Sequence, residues 1–335
     1  MPELPEVETI VRGLRLSLPG RAVFEVRFGK SEFVDNPGEI AEFLPGMRVL
    51  DVTRMGKFIC IGLAAGVAPT DGAVPSASQY LIIHLGMTGR LTVVLSGEPV
   101  AAHTHCFFTL DDGRELRYND IRRFGRMLLL PESKLAEFAA DLGQEPLDIG
   151  AEEFCREFGS RRARVKAMLL DQRILRGVGN IYADEALFRA RLHPARLGET
   201  LTKKQLLALR DSVRQVLSDA IRFRGSSISD YVDSEGNHGT FQLRHRVYRR
   251  TGKPCIRCKA SIRRTIVAGR SSHFCPHCQP PPRTVRRAGK IGKPGAAAAK
   301  RNKTKLKIAG MEGARPAAAV KFAAHSKTQA KRAGV

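Results

Sequence analysis

Residues 165–187 read VKAMLLDQRILRGVGNIYADEAL, and this stretch decides how the chain is parsed. Val165, Met168, Leu169 and Leu175 fall on one helical stripe, Gly177-Val178-Gly179-Asn180 breaks it, and Tyr182, Ala186 and Leu187 begin another. The spacing predicts two helices meeting at a glycine turn. Glycines let backbone approach a partner closely, and the second helix offers free N–H groups and the positive end of its dipole. The turn reads either as an anion site or as an ordinary helix–helix connection. Arg161, Arg162, Arg164, Lys166, Arg173 and Arg176 on the flanking helices favour a polyanion.

Working outward, a third long helix follows Thr202, where Thr-Lys-Lys-Gln makes a capping box ahead of Leu206, Leu209, Val213, Val216 and Leu217. Residues 224–240 are polar and glycine-bearing and are expected to form a flexible loop. Toward the N-terminus the period changes. Between about 21 and 130 lie eight short runs rich in Val, Ile, Leu and Phe (AVFEVRF, RVLDVTR, KFICIGL, YLIIHL, RLTVVL, HCFFTL, RELRY and RMLLL), which predict a two-layer β-sandwich. Residues 66–78, rich in Ala, Gly, Pro and Ser, read as a surface loop without function. Leu4, Val7, Ile10, Val11 and Leu14 predict a helix almost at the N-terminus, with Pro5 in its first turn. The fold class is therefore α+β.

The chain has 335 residues, 43% of them hydrophobic, which is ample for two packed domains. Its net charge of +23 is uneven. Residues 1–150 hold 15 Lys/Arg against 20 Asp/Glu, residues 151–280 hold 26 against 12, and residues 281–335 hold 15 against 1. The second half carries the grip on a polyanion, nucleic acid above all; charge alone also admits a ribosome or a membrane surface. No apolar run approaches the roughly 20 residues of a membrane span, and the acidic start MPELPEVET is unlike a signal peptide. A cytosolic protein is expected.

Four of the seven cysteines form Cys255-x2-Cys258-x16-Cys275-x2-Cys278. Each CxxC turn sets two thiolates about one tetrahedral edge apart, and the spacer suits a β-hairpin, so the set reads as one structural zinc ion with a closed shell. His273 and His277 lie near enough in sequence to substitute as ligands. Arg263, Arg264 and Arg270 on such a hairpin are left to meet phosphates. Cys60, Cys106 and Cys155 read as small buried side chains.

Removal of Met1 ahead of Pro2 would expose a secondary amine flanked by Glu3 and Glu6. An α-amine titrates near about 8, so part of it is neutral at cytosolic pH, as Schiff-base chemistry requires. By itself the segment reads equally as a Pro/Glu-rich helix start.

PELPEVET, Lys57 in Met-Gly-Lys-Phe, His84-Leu-Gly-Met-Thr-Gly89, the segment LRYNDIRRFG ending at Gly125, GVGNIYA ending at Ala183 and the four-cysteine hairpin occur in this order. Together they resemble the formamidopyrimidine-DNA glycosylases, bacterial enzymes that excise oxidised purines, over residues 1 to about 280. The resemblance implies an N-terminal β-sandwich flanked by helices (1–132), a linker (133–150), a helix-two-turn-helix domain (151–245), a zinc β-hairpin (246–280) and a basic disordered tail (281–335). It implies a monomeric glycosylase and abasic-site lyase on duplex DNA carrying oxidised bases or abasic sites, in the cytoplasm at the nucleoid.

By the same resemblance Pro2 attacks C1′ of the damaged nucleoside, Glu3 protonates the sugar ring oxygen, Glu6 supports the lesion site, and Lys57 contacts the phosphate and the departing base. Met87, Arg122 and Phe124 correspond to the trio that fills the space left by the extruded base, although Met87 and Phe124 by themselves read as core residues. Asn180 and Arg270 correspond to phosphate ligands, Arg270 on the zinc hairpin, and His103 to a DNA-contacting histidine. Residues 231–240 correspond to a mobile loop that closes on the base. The tail has no counterpart in the family core; its composition suggests non-specific DNA tethering. Two rivals are an endonuclease VIII-like glycosylase for oxidised pyrimidines and a non-catalytic zinc DNA-binding module.

Overall fold

A computed structural model describes residues 1–65, 76–228 and 231–282. Most of the expected 66–78 loop, and the tail from residue 283 on, lie outside the described residues.

Helix α1 (Leu4–Ser17) opens the chain with Pro5 in its first turn, where the missing N–H costs no hydrogen bond. The eight predicted strands all form: β1 (Val23–Phe28), β2 (Met47–Met55), β3 (Phe58–Ala65), β4 (Gln79–His84), β5 (Gly89–Leu95), β6 (Thr104–Leu110), β7 (Arg114–Asp120) and β8 (Arg126–Pro131), with a short helix α2 (Pro37–Phe43) after β1. They make two antiparallel sheets, β2-β3-β4-β8 and β1-β6-β7-β5. The core between them is built from both inner faces and from Val7, Ile10, Val11 and Leu14 of α1.

The segment expected to be a linker carries helix α3 (Glu132–Ala140) over its first part. Leu135 and Phe138 of that helix pack on Phe58, Cys60, Ile82 and Leu130 on the outer face of the first sheet. That second cover explains why β3 reads as a continuous apolar run instead of alternating.

The basic half is helical: α4 (Ala151–Gly159), α5 (Val165–Leu170), α6 (Asn180–Arg189) and the 20-residue α7 (Lys203–Arg222). The capping box forms as read, with Gln205 N donating to Thr202 Oγ1 at 3.2 Å and Thr202 N to Gln205 Oε1 at 3.0 Å. The stripe through Leu175 is not one helix. α5 ends at Leu170, because Asp171 adopts extended backbone (ψ 109°) and its carboxylate takes the Arg173 amide at 3.0 Å; Leu175 reaches the core from a turn.

Several contacts join the sandwich to the helices, two of them through Leu4 and Arg54. Leu4 sits in the helical core, and its N–H donates to Gly177 O at 3.0 Å. Arg54 on β2 donates to Glu8 on α1 at 2.9 Å and holds Glu145 with both η-nitrogens at 3.1 and 2.8 Å; Arg176 adds a bond to Glu145 at 3.2 Å. The Arg54 side chain is only 9% exposed, so its charge is balanced by a forked pair and not by water. Strands β9 (Arg263–Val267) and β10 (Arg270–Phe274) form the C-terminal hairpin. Among the described residues no helix is long and apolar enough to cross a membrane.

Candidate active site

The glycine turn holds a carboxyl group that belongs to the protein itself. At the start of α6, Ile181 N donates to Glu3 Oε1 at 3.0 Å and Tyr182 N to Glu3 Oε2 at 3.4 Å. A Cβ on Gly179 would lie closer than 3.0 Å to the Glu3 carboxylate, and one on Gly177 (φ 90°) would meet Leu4 as closely. The two glycines thus admit the N-terminal segment, and the helix amides expected to face a DNA phosphate are spent on Glu3. Glu3 is 3% exposed, and burial pushes its carboxyl pKa up despite opposing help from Lys57 and the two amides.

Glu6 lies one turn further along α1 and is buried too. It accepts from Glu3 N at 2.8 Å, from Ser226 N at 2.7 Å and from the Tyr182 hydroxyl, and Ser226 Oγ continues the network to His245 Nε2 at 3.1 Å. Burial first, and the nearby Glu3 second, raise Glu6 to about 7. The folded protein therefore holds this proton over a pH range where the unfolded chain releases it, so stability falls as pH rises from about 4.5 to about 7 and then levels off. In Glu6→Gln this loss should vanish. Denaturant unfolding at about pH 5 and about pH 8 should show wild type losing roughly 3 kcal/mol relative to the variant. Parallel profiles would refute the assignment.

These carboxylates line one cavity of about 480 Å³ together with Pro2, Lys57, Met87, Arg122, Asn180 and Arg270. Lys57 is not the surface lysine its strand setting suggests. It sits in the β2–β3 turn, 8% exposed, and burial lowers its pKa, partly offset by Glu3 and Glu6 and reinforced by Arg270. Met87 and Phe124 are 41% and 54% exposed, against their reading as core, and Arg122 stacks over the Phe124 ring at 4.5 Å. Their loops are set by buried Asp120, which takes Thr88 Oγ1 at 2.5 Å, Arg122 N at 3.2 Å and Gly125 N at 2.9 Å. Phe124 and His103 stand outside the cavity lining. His103 is exposed, and its carbonyl receives Asp120 N at 3.0 Å.

The sequence reading missed Tyr182, Ser226, Ile228, Tyr231, Tyr248 and Arg249 at this site. Ser226 and Tyr231 belong to the segment expected to be flexible. Beyond residues 229–230, which lie outside the described set, that segment is pinned. Asp233 takes the amides of Glu235 and Asn237 at 3.0 and 2.9 Å and pairs with Arg224 at 2.8 Å, while Val93 N donates to Ser234 O at 3.2 Å.

The four hairpin cysteines converge, their Sγ atoms all within 4.8 Å of one another, with Cys258–Cys275 at 3.4 Å and Cys255–Cys278 at 3.9 Å. A tetrahedron of thiolates about 2.3 Å from zinc has edges of about 3.8 Å, so the set fits one structural ion. Arg257 N and Cys278 N donate to Cys255 Sγ and Cys275 Sγ, each at 3.4 Å, as a thiolate cage requires. Neither His273 nor His277 belongs to the cluster; His273 turns its Nδ1 to Asp184 Oδ2 at 2.9 Å, and His277 is exposed. Asp184 also accepts Lys166 Nζ at 2.6 Å, both side chains fully buried, which ties β10 and its Arg270 to α5 and α6.

The chain matches the family descriptions "Formamidopyrimidine-DNA glycosylase N-terminal domain" over residues 1–127, "Formamidopyrimidine-DNA glycosylase H2TH domain" over 142–232 and "Zinc finger found in FPG and IleRS" over 252–281. It is 46% identical over 281 residues to the formamidopyrimidine-DNA glycosylase of Solibacter usitatus, spanning 83% of this chain and 99% of that one. To the enzyme of Heliobacterium modesticaldum it is 44% identical over 289 residues, spanning 83% and 100%. Its fold resembles a point mutant of Lactococcus lactis FPG in complex with DNA containing Fapy-dG (TM-score 0.76, 30% identity, 84% of this chain and 100% of that one). The wild-type form of that protein bound to DNA containing an oxidised pyrimidine superposes with TM-score 0.75 at 29% identity, again covering 84% and 100%. On these matches, and with the cavity and thiolate cluster in place, the chain belongs to the formamidopyrimidine-DNA glycosylase family.

Proposed function

We propose that this chain excises oxidised purines from duplex DNA and then cuts the strand at the resulting abasic site. The observation that carries the reading is a buried carboxyl with a raised pKa, Glu3, next to Pro2 in a cavity that also holds Lys57 and four further cationic or amide side chains. In the form that begins at residue 2, the Pro2 nitrogen lone pair bonds to C1′, and the C1′–N9 bond breaks with its electrons leaving on the base. The proton of the attacking amine passes to the departing base, and Glu3 gives its own proton to the ring oxygen as the freed nitrogen lone pair opens C1′–O4′, leaving an iminium between Pro2 and the sugar. That cation acidifies the C2′ hydrogen; transfer of this proton to the Glu3 carboxylate expels the 3′ phosphate, and a second elimination, with loss of the C4′ proton, expels the 5′ phosphate.

Lys57 and Arg270 hold the charge that gathers on phosphate and base, Glu6 fixes the N-terminal segment, and Asn180 grips the backbone. Met87, Arg122 and Phe124 fill the stack, since a base must leave it before C1′ is reachable. His103 touches the flanking strand. We place the activity in the cytoplasm, on the nucleoid, in a monomer whose basic residues 281–335 tether it to DNA.

The relative bound to an oxidised pyrimidine supports a second reading, in which oxidised pyrimidines are the main substrates. Borohydride trapping separates them. Wild type should form a covalent adduct with duplexes bearing 8-oxoguanine opposite cytosine far faster than with thymine glycol, and Pro2→Gly should lose most of the adduct. Preference for thymine glycol would overturn the substrate, normal trapping by Pro2→Gly would overturn the nucleophile, and no trapping at all would leave a DNA-binding module.

A further inference from the structure

Arg249 holds a left-handed backbone, φ 55°, which Cβ-bearing residues disfavour and glycine adopts freely. Three other arginines share this conformation: Arg123 bonds Glu32 at 2.9 Å, Arg224 pairs with Asp233 at 2.8 Å, and Arg191 follows the C-terminal end of α6 with its N–H on Phe188 O at 3.2 Å. The Arg249 side chain has no ion pair or hydrogen bond among the described residues, is exposed, and lines the catalytic cavity.

Its neighbours explain what the conformation achieves. Tyr248 is edge-on to His273 at 5.1 Å and to His245 at 5.5 Å. Arg250 N already donates back to Val247 O at 3.0 Å as the chain turns into the zinc hairpin. Between these residues, the left-handed turn places Arg249 on the wall of the cavity that Asn180 and Arg270 also line. No acid there is free to receive it: Glu3 and Glu6 are buried and spent on backbone and hydroxyl donors. A forked cation with no internal partner, on the wall where the Proposed function puts a DNA backbone, matches a phosphate.

We propose that Arg249 is a phosphate-binding residue of the lesion site, the backbone strain being retained because it directs this side chain at the DNA. The inference rests on the glycosylase reading above. Because glycine suits φ 55°, charge and strain can be removed together or separately. Arg249→Gly removes both, Arg249→Ala removes the charge alone, and Arg249→Lys keeps a charge without the fork.

The test uses the full chain, a fluorescent duplex with a tetrahydrofuran abasic analogue titrated at several KCl concentrations, and thermal unfolding of each variant. Arg249→Gly should unfold at or above the wild-type Tm yet bind roughly tenfold more weakly near 0.15 M salt, with the log–log salt slope shallower by about 0.9. Arg249→Ala should match that loss at a Tm no higher than Arg249→Gly, and Arg249→Lys should keep most of the affinity. Wild-type affinity and slope in Arg249→Gly would overturn the proposal, as would a lowered Tm with an unchanged slope, the mark of a purely structural residue. If wild type excises 8-oxoguanine while Arg249→Gly binds like it, the inference alone fails. If wild type neither excises nor traps any lesion, the glycosylase reading fails first.

Discussion

Alanine at position 179 should lower single-turnover base excision by at least about 100-fold, although the substitution adds one methyl group. Gly179 has φ −129°, a backbone open to any residue, so conformation is no obstacle. Space is. The new Cβ would lie closer than 3.0 Å to the Glu3 carboxylate, which has nowhere to retreat: it is buried, and held by Ile181 N and Tyr182 N. Either Glu3 leaves the helix end or the turn opens, and in both cases the acid loses its position relative to the sugar.

Glu3→Gln, which fits the space but carries no transferable proton, should lose a comparable factor, consistent with the roughly 10²–10⁴-fold value of a placed general acid. The pH profile gives an independent sign. Burial raises the Glu3 pKa, so excision should decline as pH rises through it. Gly179→Ala moves the carboxyl toward water, lowers its pKa and shifts that limb to lower pH. Binding to an abasic-analogue duplex should change less than excision. Excision within about fivefold of wild type would mean that Glu3 is not the acid, or that the helix end does not hold it.

Removing zinc, by strong chelation or by serine at any of the four cysteines, should weaken binding to the abasic-analogue duplex by more than about 100-fold while leaving the main unfolding transition in place. The hairpin's apolar cluster is Val247, Cys255, Ile262 and Cys275 with one borrowed residue, Phe188 of α6, so most of its interior is the cage itself. Without metal the thiolates lose their reason to converge, and β10 loses the register that presents Arg270.

The rest of the protein has its own cores. Its ties to the hairpin include the Lys166–Asp184–His273 cluster, Lys166 Nζ on Ser271 O at 2.7 Å, the amides of residues 246–248 donating to Glu185, Arg257 Nη1 on Phe188 O at 2.9 Å, Gln279 Nε2 on Leu192 O at 2.8 Å and the His193–Phe274 ring contact. Far-ultraviolet circular dichroism should therefore change little. A collapse of the whole transition on chelation would mean that the metal supports more than its hairpin.

The eight strands, the N-terminal helix and the capped α7 were legible in the sequence because each buries one repeating face, and periodicity records that directly. Helix α3 was not, since its only large apolar residues are Leu135 and Phe138 and they pack on the outside of a sheet whose second cover no local pattern announces. The Asp171 turn that ends α5 was hidden for the same reason: Leu175 keeps helical spacing while its backbone does not.

In the site, the cysteine spacing alone determined the metal, because two CxxC turns and a hairpin leave four thiolates little choice but one tetrahedron. Charge, the glycine turn and the motif order determined that the chain handles DNA and which residues to look for. What only the tertiary structure decided is what each group faces. The glycines at 177 and 179 admit Leu4 and Glu3, not a phosphate; Lys57 is buried; Met87 and Phe124 are exposed; and Ser226, Tyr231 and Arg249 join the cavity from segments far from residue 2. The reason is physical. A periodicity reports which face of one element is buried, whereas a pKa, a clash or a hydrogen bond depends on what another element places within a few ångströms, and that is settled only when the pieces pack.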